Sequence, residues 1–144
     1  MNNRNEFMLR KLQGIVDEVS RIRETGKKII SSLIQHVTQK HPHYLIIKDQ
    51  KELEVILEFF GIPVLVKAKI VLDAAFQDPA TELPGGNIIA YLLPEKEKVE
   101  RTELLSFNFD QLGNIKNTLH IDTFPIYFVT DLIDKLFKKG LSIS

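Results

Sequence analysis

Three histidines close together, His36, His41 and His43, are the first residues in this chain whose type and spacing could do chemistry. Imidazole is a common metal ligand, and His41-Pro42-His43 can place two rings on one side of an extended segment. A complete site needs further donors, and no carboxylate stands close in sequence. Asp49 or the pair His120-x-Asp122 could join only through the fold. A helix end with solvated imidazoles explains the same pattern, so no metal site is expected.

His120, Asp122, Asp131 and Asp134 could supply acid–base groups, because carboxylates held at different pKa values can run hydrolysis. Asp131 and Asp134 precede Lys135 and Lys138 by four residues, the spacing of ion pairs along an exposed helix face. No Gly-x-Ser-x-Gly elbow is present. Pro84-Gly85-Gly86 lacks the spacing of a P-loop or a dinucleotide site, and it opens a strand, where no helix dipole assists an anion. Neither an enzyme nor a cofactor is expected.

Arg10, Lys11, Arg21, Arg23, Lys27 and Lys28 form a basic ridge that could meet phosphate. No aromatic residue interleaves with them to stack on bases, and Asp17, Glu18 and Glu24 dilute the charge. The same ridge can meet an acidic protein. The partner-binding residues expected are Arg21, Arg23, Lys27 and Lys28, joined by Asp78 and Glu82 of the segment 73–87. That segment is longer than most connections in a compact domain, and such loops often bind or gate.

The element that carries the ridge has the clearest pattern in the chain. Met8, Leu12, Ile15, Val19, Ile22, Gly26, Ile29, Leu33 and His36 follow alternating steps of four and three. This is a heptad seam with Leu12, Val19 and Leu33 at a and Met8, Ile15, Ile22 and Ile29 at d. Leu9, Val16, Ile30 and Val37 at e widen the stripe. The spacing predicts a helix from about Asn5 to Val37, either continuous or broken at Gly26. An unbroken helix of that length would overhang a body of this size and leave apolar residues in water unless they met another chain. Packing on the chain's own core and dimerisation through this helix are both open readings.

His41-Pro42-His43 ends the helical region. Strands are expected at 44–48, 52–60, 64–72, 87–93 and 104–109, with Asp49-Gln50-Lys51 as a turn. Residues 52–60 also fit a helix capped by Asp49. The strand is preferred because Glu52, Glu54 and Glu58 share one face. Asp110 to Gly113 reads as a hairpin turn, followed by a short strand over 114–119. A last helix over 123–139 has Thr123 near its N-cap, Pro125 in its first turn and Ile126, Val129, Ile133 and Leu136 on its apolar face.

The chain of 144 residues thus reads as a single α+β domain: a helical segment over 1–40, an antiparallel meander of five or six strands over 43–119, and a C-terminal helix over 123–139. The helices should cover one sheet face, giving two layers. Lys plus Arg equals Asp plus Glu at 19 each, which argues against a dedicated nucleic-acid protein. The balance hides an asymmetry, since residues 1–41 hold eight basic and four acidic side chains. There is no cysteine, which excludes disulfides and thiolate sites. No apolar run approaches the roughly 20 residues of a membrane helix, and Met1 to Glu6 has no secretory character. The expected setting is cytoplasmic.

The element order is similar to that of many bacterial interaction proteins, among them immunity proteins and secretion chaperones, a likeness of architecture alone. The function expected is a non-enzymatic protein-binding module: an inhibitor, an immunity protein or a chaperone-like adaptor. A homodimer through the first helix fits the same pattern. The alternative is nucleic-acid binding through the basic face.

Overall fold

The computed structural model describes residues 3–71, 85–93, 102–110, 112–115 and 119–139. Helix α1 (Asn3–Lys40) leads into strands β1 (Leu45–Lys51), β2 (Glu54–Phe59), β3 (Ile62–Val71), β4 (Gly85–Leu92) and β5 (Thr102–Phe109). Two-residue segments β6 (Asn114–Ile115) and β7 (Leu119–His120) follow, then helix α2 (Phe124–Lys138). The strands pair antiparallel in sequence order, β1 to β7. Both helices pack on one face, so the molecule is the expected two-layer helix–meander–helix.

Alternation decides which face is covered. Val55, Leu57 and Phe59 of β2 are buried while Glu54, Ile56 and Glu58 are only partly so. The strand reading of this stretch therefore holds over Glu54–Phe59, with turns at Glu52-Leu53 and from Phe60. The inner face continues through Val64, Val66 and Ala68 of β3, Ile88 and Ala90 of β4, and Phe107 and Phe109 of β5. Onto it α1 lays Ile22, Ile29, Ile30, Leu33 and Val37, each at most 1% exposed. Phe107, Phe124 and Phe128 close the α2 end with ring centroids 5.1–6.1 Å apart. Each fully buried side chain of this size is worth about 1.5–3 kcal/mol relative to leaving it in water.

Two glycines let these layers approach. A Cβ at Gly26 would sit 3.3 Å from both Ala68 Cβ and Leu53 Cδ2, so glycine there brings α1 close to the sheet. The helix does not break at Gly26; packing offsets the roughly 1 kcal/mol that glycine costs in a helix. At Gly86 a Cβ would penetrate the Phe109 ring, so this strand glycine makes the seat for that aromatic.

Several expectations are corrected. Asp49 to Lys51 belong to β1, which bulges between Ile47 and Asp49, and the turn falls at Glu52-Leu53. The strand expected over 114–119 is two segments, β6 and β7, paired with each other. On α2 the buried positions are Phe124, Pro125, Phe128, Val129, Leu132 and Leu136, whereas Ile126 is exposed. Spacing of an acid four residues before a base suggests Asp17 with Arg21 and Glu24 with Lys28, but Arg21 pairs with Glu18 and Glu24 with Lys27, three residues apart, while Asp17 accepts from Gln13. Asp134 and Lys138 do pair, at 3.0 Å. Thr123 precedes α2 but its side chain bonds back to the His120 carbonyl at 3.2 Å and caps no helix N–H.

Candidate functional site

Helix α1 is 38 residues long, roughly 57 Å at 1.5 Å per residue. Its buried residues begin at Ile22. The segment from Asn5 to Asp17, about 20 Å of helix, therefore stands clear of the body, and Glu18 and Val19 are already partly covered. On it the apolar stripe continues without a partner: Met8, Leu9, Leu12, Ile15 and Val16 are 40–66% exposed, with Phe7 beside them. The seam that holds the core from Ile22 onward is thus presented to solvent by the preceding three turns. Contiguous apolar surface on this scale marks an interaction site far more often than a scattered exposed leucine does.

The flank of this stripe is charged in an ordered way. Lys11 and Glu18 both occupy heptad position g, one basic and one acidic. Glu18 accepts from Arg21 Nη1 at 3.2 Å through Oε1, while its Oε2 is buried without a hydrogen-bond partner.

The expected basic residues lie just beyond, where α1 meets the body. Arg21 is held by Glu18. Arg23 reaches Glu52 of the β1–β2 turn at 3.4 Å, and Lys27 lies 3.1 Å from Glu24 and 3.7 Å from Glu52. Three of the four cations are thus balanced within the chain, and the helix charge is partly answered by its own sheet. Lys28 lines an open cleft of about 480 Å³ between α1 and the turn after β7. Ser32 Oγ donates to the Ile121 carbonyl at 3.3 Å and ties the cleft walls together. Its lining residues other than Ile121 are charged or polar, and it lies open to solvent rather than enclosed as a small-molecule pocket is. Asp78 and Glu82 lie outside the described residues.

Of the histidines, the fold brings two together. His41 Nε2 lies 3.1 Å from His36 Nε2, and its Nδ1 meets the Tyr44 hydroxyl in a short contact. Tyr44 O–H donating to His41 and His41 N–H donating to His36 satisfies all three groups with both rings neutral. Burial lowers the pKa of His36, with the charges of His41 and Lys40 adding to it, and burial lowers that of His41. His43 is exposed. Among the described residues no group of three or more His, Cys, Asp or Glu side chains could hold a metal ion. His120 Nδ1 lies 3.4 Å from Asp122 Oδ2, but both side chains are open to water, where an acid–base pair gains nothing from a low dielectric. Gly85 and Gly86 lie within β4, and Gly86 is placed by its packing on Phe109.

Sequence reasoning found the stripe but could not say where along it the body begins. That boundary depends on which of the apolar positions meet strands. The Tyr44 partner of His41 was also missed, because the contact needs the turn at 41–44. No helix among the described residues is long and apolar enough to cross a membrane. Comparison with family models, with curated proteins and with solved structures finds no match to this chain, so a functional reading stands on the geometry of α1.

Proposed function

We propose that this chain is a non-enzymatic, cytoplasmic protein-binding module whose contact surface is the projecting half of α1. The observation that carries the reading is the run of apolar side chains at Met8, Leu9, Leu12, Ile15 and Val16, exposed on a helix that the body does not cover. Burying such side chains returns about 1.5–3 kcal/mol each, which an aqueous environment leaves unrealised. Helix-mediated contact reads such a surface through its i, i+3, i+4 and i+7 positions, which is the spacing present here. A role as inhibitor or adaptor fits a module that presents one preformed face.

Nucleic-acid contact gains less support. Phosphate binding needs free cations, and Arg21, Arg23 and Lys27 are each engaged with a carboxylate.

A photo-crosslinking amino acid at Leu12, with Ser31 as an exposed control on the body, tests the reading in expressing cells. The expected result is a protein adduct at Leu12 well above that at Ser31. Equal, background-level adducts at both positions would remove α1 as a protein-binding surface.

A further inference from the structure

Resting on that reading, we propose that the occupant of the projecting helix is a second copy of this chain, paired antiparallel, with the two-fold axis passing between Gln13 and Gly14. Three observations converge on this register.

The first is the seam. Antiparallel pairing sets each a residue against a d residue of the other helix. With the axis between Gln13 and Gly14, Leu12 meets Ile15 of the second copy and Met8 meets its Val19. Both layers occur twice by symmetry, so the whole exposed seam is covered. Leu9 then faces Val16 of the second copy across the e flank, again twice.

The second is charge. The g flanks of the two helices also face each other, which sets Lys11 beside Glu18 of the second copy, twice; Glu18 already holds its own Arg21 through Oε1, and Lys11 of the other copy would answer the unpartnered Oε2. A shift of one heptad in one direction would place Lys11 on its own counterpart, and in the other direction Glu18 on its own. This axis is the one that alternates the signs.

The third is the body. From Ile22 onward the same seam is buried against the chain's own sheet. A parallel partner would have to run on along that seam and into β1–β5. An antiparallel partner ends there, with its Asn5 level with Ile22, and the two bodies lie at opposite ends of the pair. The length of free helix matches what this arrangement uses.

The area is adequate. At roughly 60–120 Å² for each apolar side chain, six give on the order of 400–700 Å² per chain. A stable interface takes about 800 Å² per partner, which the charged flanks would complete.

The test is the mass of the full-length protein by light scattering at about 100 µM, with Lys11→Glu, Glu18→Lys and an equal mixture of the two. Circular dichroism checks that each variant stays folded. Wild type is expected at twice the chain mass. Each single variant sets like charges together twice and should weaken the dimer about tenfold. The mixture should recover wild-type strength as a heterodimer, seen by native mass spectrometry, because each remaining contact is again a lysine on a glutamate. A parallel pair would not recover, since Lys11 would then face Val16. Failure of the mixture to recover overturns the antiparallel register. A monomeric wild type overturns the second copy but leaves the crosslink at Leu12 to judge the broader reading. A dimer indifferent to Ile15→Glu overturns α1 as the contact between copies and likewise leaves the Leu12 crosslink to judge the broader reading.

Discussion

His41 Nε2 sits 3.1 Å from His36 Nε2 at the end of α1, close enough that the two rings share one hydrogen bond, which is lost once both are protonated and neither nitrogen can accept. Both pKa values are lowered by burial from the ordinary 6.5. The unfolded chain therefore binds protons at a higher pH than the native one. The stability these rings confer is fully present above pH 6.5 and is lost as the pH falls from there through their native values. Melting curves at about pH 7.5 and 5 should show a drop on acidification that is smaller in His36→Gln. An equal drop in the variant would mean that carboxylates alone set the pH response.

Ile22 marks where α1 enters the core, at 0% exposure, while Leu12 is 55% exposed on the same seam. Ile22→Ala should lower stability by about 2–5 kcal/mol at every protein concentration. Leu12→Ala should act only where the chain is self-associated, so its effect should shrink on dilution. Urea unfolding at two protein concentrations separates the cases. A Leu12→Ala loss independent of concentration would place that residue in the core of the single chain.

Gly14 and Gly86 predict opposite signs for the same substitution. A Cβ at Gly14 meets nothing within 4 Å, and the helix gains up to about 1 kcal/mol when glycine becomes alanine. At Gly86 the added atom invades the Phe109 ring, so Gly86→Ala should cost about 1–3 kcal/mol. Pairing Gly86→Ala with Phe109→Leu should return part of the loss, since the two side chains share one space. Strict additivity in that cycle would sink the account.

Glu52 receives both Arg23 and Lys27, but its side chain is 66% exposed. Glu52→Gln should therefore change stability by less than about 1 kcal/mol, and by less still in high salt. A larger, salt-insensitive change in chemical denaturation would show that the α1–β1 contact depends on this cluster.

The order of elements was legible because each carries its own period. The heptad of α1, the alternation of β2 and the β-branched run of β3 each point to one structure. What failed was phase and boundary. Residues 49–51 are charged or polar and read as a turn, yet they form the end of β1, the sheet's first edge, where charge on an edge strand is ordinary. In α2 the run Phe-Pro-Ile-Tyr-Phe-Val is apolar nearly all round, so periodicity left several faces open. The bulk of Phe124 and Phe128 against Phe107 chose among them and turned Ile126 outward. The projecting stripe was visible as residues and as spacing. Its exposure was not, because that follows from how far the meander extends along the helix.

The sequence order of the fold also sets a timetable for the growing chain. Each strand pairs with the one made just before it, so the sheet can assemble hairpin by hairpin as it is synthesised. Helix α1 has no such neighbour. The stretch from Ile22 to Val37 finds its complete platform only when Phe109 has been added, some seventy residues later. At roughly 5–20 residues per second, that is about 4–15 s during which a core-forming apolar stripe stands uncovered on a nascent chain.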